Sequence, residues 1–109
     1  MARSRDTPPP VRALDGERLR RVSAMVAKHD AQLHQVVRRR GSRSPAIVDD
    51  ACAYAWIQLL AAEHVELRPP LWEALAWLTS CAVRHARMLD AVQRQLAPGA
   101  KAHVTAGRA

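Results

Sequence analysis

Apolar side chains recur at three- and four-residue intervals through most of this chain, and no stretch alternates with the two-residue period of a half-buried strand. The first such pattern covers residues 15–40, where Leu19, Val22, Val26, His29, Leu33 and Val36 form one stripe that Gly41 ends. The second opens with Ser44 as N-cap and Pro45 at the first helical position, and is expected to run to about residue 63. Its main stripe is Val48, Ala51, Cys52, Ala55, Leu59 and Ala62. Tyr54, Ile57 and Ala61 lie on the opposite side beside Asp50, so this helix is apolar nearly all round and must be either central or covered by a partner. The third follows Pro69-Pro70 and reaches about residue 96, ahead of Pro98-Gly99, with Leu71, Leu75, Leu78, Ala82, His85 and Leu89 as its stripe. Ser80, Arg84, Arg87 and Arg94 fall together on its far side, with Trp77 at their edge. The pattern predicts an all-α fold, a compact bundle of three to four helices over residues 14–97, between tails at 1–13 and 98–109 expected to be disordered.

Composition agrees with helices packed through small side chains. The 109 residues are 49% hydrophobic yet include only three Trp, one Tyr and no Phe, enough for one modest core. Charge changes the picture more. The formal net charge is +7, and 15 of the 17 basic residues are Arg, the side chain suited to phosphates and base edges. Residues 1–43 carry 11 basic residues against 4 acids, 44–82 carry 1 against 5, and 83–109 carry 5 against 1. Basic ends flanking an acidic middle point to a polyanionic partner, since an Arg-rich coding bias alone predicts no segregation. Arg38, Arg39 and Arg40 close the first helix, where the helix dipole favours cations; they are either a cap or phosphate ligands.

Cys52 and Cys81 sit inside apolar patterns without CxxC spacing and read as small core residues in a reducing compartment. Cys81 and His85 stand one turn apart, but both fall on the core stripe and no ordered ligand set accompanies them, so no metal and no cofactor is expected. No nucleophile–base arrangement or Gly-rich phosphate cradle is visible, which argues against an enzyme. The basic N-terminus lacks the apolar stretch of a secretory signal, and no run approaches membrane-spanning length, so the expected location is the cytoplasm, on the nucleoid, without membrane contact.

The stretches VAKHDAQLHQVVRRRGSRSPAIVDDACAYAWIQLL and AWLTSCAVRHARML together resemble the second conserved domain of bacterial sigma factors, especially the extracytoplasmic-function group, across residues 18–92. The elements that carry the resemblance are Arg38 to Gly41, the acidic pair Asp49-Asp50, and Ala76-Trp77-Leu78. It implies a domain that binds core RNA polymerase and promoter DNA at the minus-ten region. Asp49, Asp50, Tyr54 and Ile57 would then face the polymerase clamp, although the family's Gln-Glu is replaced here by Ala53-Tyr54. Trp77 would be the aromatic wedge at an opened base step; its alternative is a core Trp at the bundle edge. Ser80, Arg84 and Arg87 would contact DNA, with Arg38, Arg39 and Arg40 adding phosphate contacts. The loop at 63–70 stands where the group captures a flipped base, without the usual aromatic and Gly, and Asp90-Ala91-Val92 replaces a basic doublet.

A complete sigma factor also carries a helix-turn-helix domain, for which 109 residues leave no room. The resemblance therefore implies a further chain that supplies the second contact. The rival reading is a docking module that binds polymerase, another sigma subunit or an anti-sigma protein through the same fold without melting DNA.

Overall fold

The structure, a computed structural model, describes residues 16–96. The tails at 1–13 and 98–109 lie outside the described residues, as do Asp15 and the first residues assigned to the bundle. Three helices make up the fold: α1 (Gly16–Arg40), α2 (Pro45–Ala61) and α3 (Trp72–Leu96). There is no strand among the described residues. The chain is all-α.

The start of α2 is set locally. Ser44 is extended and its hydroxyl accepts from the Ile47 amide at 3.4 Å, while Pro45 occupies a position whose amide would have no helical partner. The turn before it is equally constrained. Gly41 comes so close to α3 that an added Cβ would stand 2.7 Å from the Ala86 Cβ and 3.0 Å from the Val37 carbonyl. The Ser42 hydroxyl, in a buried residue, donates to Asp90 Oδ1 at 2.8 Å and accepts from the Ser44 amide at 3.1 Å. Asp90 also holds Arg94 at 3.2 Å. Asp90 is the anchor of the α1–α2 turn.

Most packing runs through α2, which lies against both other helices. Ile47, Val48, Ala51, Cys52, Ala55, Trp56 and Leu59 are all buried, which accounts for the apolar character of this helix. The α1 stripe is rotated from the expected one. Leu19 is 48% exposed, whereas Met25 and Val37 are buried with Val22 and Leu33. The reason is that α1 packs chiefly on α2, and the face turned to it includes positions that simple periodicity assigned to the flank. In α3, Leu78 and Ala82 are buried as expected, with Ala74, Cys81, Val83 and Ala86 added; Leu71, Leu75, His85 and Leu89 are only partly covered.

The second helix ends at Ala61, two residues short of the expected boundary, because Ala62 turns out of the helix and a side chain from α1 takes over its end. The Arg18 guanidinium donates to the carbonyls of Leu60 (2.9 Å), Leu59 (2.7 Å), Ala62 (2.5 Å) and Val65 (3.2 Å). Arg21 Nη1 reaches the Leu67 carbonyl at 3.3 Å. Ala62 and Val65 amides reach the Leu59 and Ala62 carbonyls as well, so one cation ties together four carbonyls in and just after the last turn of α2. The loop that follows is drawn inward, and Val65 and Leu67 are buried. Across the bundle, Trp56 Nε1 donates to Asp30 Oδ1 at 2.7 Å, so the only polar atom of that buried indole is satisfied.

Replacing Arg18 by Ala should lower unfolding free energy by about 1–3 kcal/mol, since it removes a charged donor from four partly buried carbonyls, and Arg18→Lys should recover only part of that. Leu78→Ala, at a position 1% exposed, should cost about 2–5 kcal/mol. Urea titration followed by circular dichroism measures both.

Candidate nucleic-acid interface

The outer face of α3 presents Ser80, Arg84 and Arg87 to solvent, one turn apart, with Trp77 half-buried at their edge. Arg84 Nη1 donates to Ser80 Oγ at 3.2 Å, which holds the guanidinium along the helix surface. Arg87 Nε donates to the Arg40 carbonyl at 2.8 Å and so caps α1 from α3. That bond places the last turn of α1, with Arg38, Arg39 and Arg40 all exposed, directly beside the α3 face. Two sets of residues far apart in sequence become one surface.

Ion pairing separates these cations from Arg20, Arg21, Arg68 and Arg94. Arg20 and Arg21 pair with Glu17, Arg68 with Glu66, and Arg94 with Asp90. Glu17 is fully exposed, and the hydrogen bonds from Arg21 and Arg20 lower its pKa. Among the described residues, Arg38, Arg39, Arg40, Arg43, Arg84 and Arg87 take part in no ion pair. Arg43, exposed in the turn after α1, belongs with this surface and was not singled out from the sequence. Its signal was its place beside the Arg38–Arg40 triplet, which the turn at Gly41 obscured. A guanidinium without a carboxylate keeps its full donor fork for an outside anion.

Trp77 packs against the core and meets the exposed His64 edge-on, with ring centroids 6.1 Å apart and planes 78° to one another. It is therefore both a packing residue and an available aromatic edge. The loop carrying His64 leaves little room for a base, because Val65 and Leu67 are committed to the core.

The residues expected to face polymerase lie on α2, on a different surface. Asp49 and Asp50 are both exposed and sit in the second turn of the helix, not the first. The helix dipole acts mainly within the terminal turn, so it accounts for little of this pair's placement. Asp49 Oδ1 lies 3.4 Å from His34 Nδ1, and His34 Nε2 lies 3.3 Å from Asp30 Oδ2. Asp50 and Ile57 stand open to solvent, Ile57 being 62% exposed. Tyr54 is 38% exposed and stacks on His85 at 3.7 Å, nearly parallel. Its ring thus bridges α2 and α3, and only part of it is left for a partner. His85 is covered on one side by that ring and is half-buried, and His29 lines a cleft of about 180 Å³ between α1 and α3 with Gln32, Leu75 and Thr79.

No family model, no curated protein and no solved structure matches this chain. What the surface can do therefore rests on its chemistry. Unpaired guanidinium groups suit a phosphate backbone, and Trp77, about two turns before Arg84 on α3, offers an aromatic edge further along the same helix.

The cysteines lie elsewhere. Both are buried and unpaired, and no group of three His, Cys, Asp or Glu residues among the described residues could hold a metal ion. Burial, reinforced by the nearby carboxylates of Asp30 and Asp49, pushes the Cys52 thiol up to about 12, and burial raises Cys81 too despite the opposing charge of Arg84. At about pH 8 the native chain should resist iodoacetamide at Cys52 and react there once unfolded, because the thiolate is the nucleophile. From the ordinary value of 9.0 up to about 12, the unfolded chain releases this proton and the folded chain keeps it. Stability should therefore fall as pH rises through that window, as alkaline urea titrations of wild type and Cys52→Ala would show.

Proposed function

We propose that this chain is a sigma-factor-like transcription protein that contacts promoter DNA in the minus-ten region with the α3 face and core RNA polymerase with the outer face of α2. The observation that carries the reading is the group of unpaired arginines. Arg84 and Arg87 on α3, Arg38, Arg39 and Arg40 at the end of α1, and Arg43 in the turn lie together around one end of the bundle, while Arg20, Arg21, Arg68 and Arg94 are paired with acids and Arg18 is bound to carbonyls. In a chain of net charge +7, that distribution favours a polyanion at this end. Trp77, about 10 Å along α3 from Arg84, supplies a stacking edge for a disrupted base step. Ser80 orients Arg84 and offers a hydroxyl to the same backbone. The protein acts as a binding subunit without chemistry of its own, on the nucleoid.

The second reading, a docking module for polymerase, another sigma subunit or an anti-sigma protein, gains support from the loop. Buried Val65 and Leu67 close the place where a flipped base would be received, and exposed Ile57 beside Asp50 offers a mixed apolar and acidic surface suited to a protein. The two readings differ in whether DNA is bound at all.

Arg84→Ala should weaken binding to duplex and forked DNA alike and reduce the salt slope by about one unit, as expected for one lost phosphate contact. Arg84 is the better probe, since Arg87 also caps α1. Trp77→Ala should cost about 1–3 kcal/mol, chiefly on forked or single-stranded DNA. Fluorescence anisotropy of labelled DNA, with circular dichroism to check folding, measures both; a folded wild type without preference for forked DNA, even with polymerase present, replaces this reading with the docking module.

Polymerase contact is tested separately. Asp50→Arg, at an exposed position without a bonding partner among the described residues, should abolish copurification of polymerase while leaving helix content unchanged. Capture that survives the reversal would remove α2 from the interface.

A further inference from the structure

The most exposed Trp of the described chain belongs to neither surface. Trp72, at the first position of α3, is 65% exposed and forms one wall of an open groove of about 470 Å³ with Glu66, Arg68, Pro69, Pro70 and Glu73. Indole and pyrrolidine rings give it an apolar floor. Two carboxylates against one guanidinium give it a net negative rim, in a protein that is otherwise strongly basic. Arg68 is paired with Glu66 at 3.2 Å, and Glu73 has no partner among the described residues. An aromatic flanked by acids is the surface that recognises a basic, proline-rich segment, because proline rings pack flat on an indole and a polyproline strand loses little entropy on docking.

The chain carries such a segment itself. Residues 8–12 read Pro-Pro-Pro-Val-Arg, and residues 1–13 hold Arg3, Arg5 and Arg12 against the single acid Asp6. The point where this segment joins the bundle is close to the groove. Arg18 in the first turns of α1 grips the carbonyls of Leu59, Leu60, Ala62 and Val65, and Arg21 reaches that of Leu67. The start of α1 therefore lies along the loop that continues into Pro69, Pro70 and Trp72. Six residues from Pro10 to Gly16 can span up to about 20 Å when extended, enough for the segment to turn back along that loop.

We propose that the Pro69–Pro70–Trp72 groove is the docking site for residues 8–12 of the same chain, with the prolines on the Trp72 indole and Arg12 on Glu73. Docking there would hold the arginines of that segment at the end of α1 opposite Arg38, Arg39 and Arg40, since Gly16 and Arg40 terminate the same 25-residue helix. The proposal does not depend on the DNA-binding reading, and its test uses no nucleic acid.

The experiment is nuclear Overhauser spectroscopy on the full chain, with the three indole signals assigned through W72F, W56F and W77F. Cross-peaks between Trp72 ring protons and the ring protons of Pro8, Pro9 or Pro10 are expected. They should vanish in P8A/P9A/P10A, with a shift of the Trp72 indole signal and no movement of those of Trp56 and Trp77, which report the core. Glu73→Gln should move the Arg12 side-chain signals while leaving the same core reporters in place. Absence of these cross-peaks in wild type, or an unmoved Trp72 signal in the triple variant, overturns the proposal. Cross-peaks seen only between labelled and unlabelled copies would overturn it too, because they assign the groove to a second molecule.

Discussion

The end of α2 is the constraint on which the rest of this small bundle depends. A helix buried on most sides leaves its last carbonyls inside the protein, where water cannot reach them freely, and each needs a donor. Arg18 supplies donors to four carbonyls around that end from a different helix. In doing so it orients α1 on α2 and pulls the following loop inward, so that Val65 and Leu67 join the core. The direction in which the chain enters α3 follows from that loop.

The opposite end of the bundle uses the same device with the roles exchanged. Arg87 of α3 donates to the last carbonyl of α1, and Asp90 of α3 holds Ser42 in the turn that follows. Gly41 permits the approach, because Ala86 occupies the space that any side chain would need. Few aromatic residues are available to fill a core here, and close approach through Ala, Gly and Ser takes their place. Polar bonds at the two ends then set the register that large interlocking side chains would otherwise set.

These structural bonds shape the electrostatics. Arginines near acids are consumed in pairs at 2.6–3.2 Å, and Arg18 is consumed by carbonyls. The arginines left over gather where α1 ends and α3 passes, and that concentration is a product of helix packing more than of composition. Asp90 keeps Arg94 out of the group, although sequence alone placed Arg94 on the same face as Arg84 and Arg87. The exposed Asp50 and Ile57 lie on α2, on a different helix from Arg84 and Arg87.

Much of this was legible in the sequence because it depends on local chemistry. Three helices, the Ser44 cap with Pro45, the stop at Gly41 and the exposed row of Ser80, Arg84 and Arg87 all follow from periodicity and from which residues satisfy a helix end. Which way α1 turns its stripe was not legible, since Leu19 and Met25 are both apolar and only the position of α2 decides between them. Nor was the double life of Arg18 or Arg87. A guanidinium reads as a surface charge until a carbonyl more than 40 residues away comes within its reach. Asp90 read as a missing phosphate anchor and is a bond between a turn and a helix. Tyr54 read as part of a docking face and is half spent on His85. Local preferences decide where helices begin and end, because their partners are a few residues away. The partner of a long polar side chain is chosen by the tertiary fold, because only packing brings distant donors and acceptors to one place.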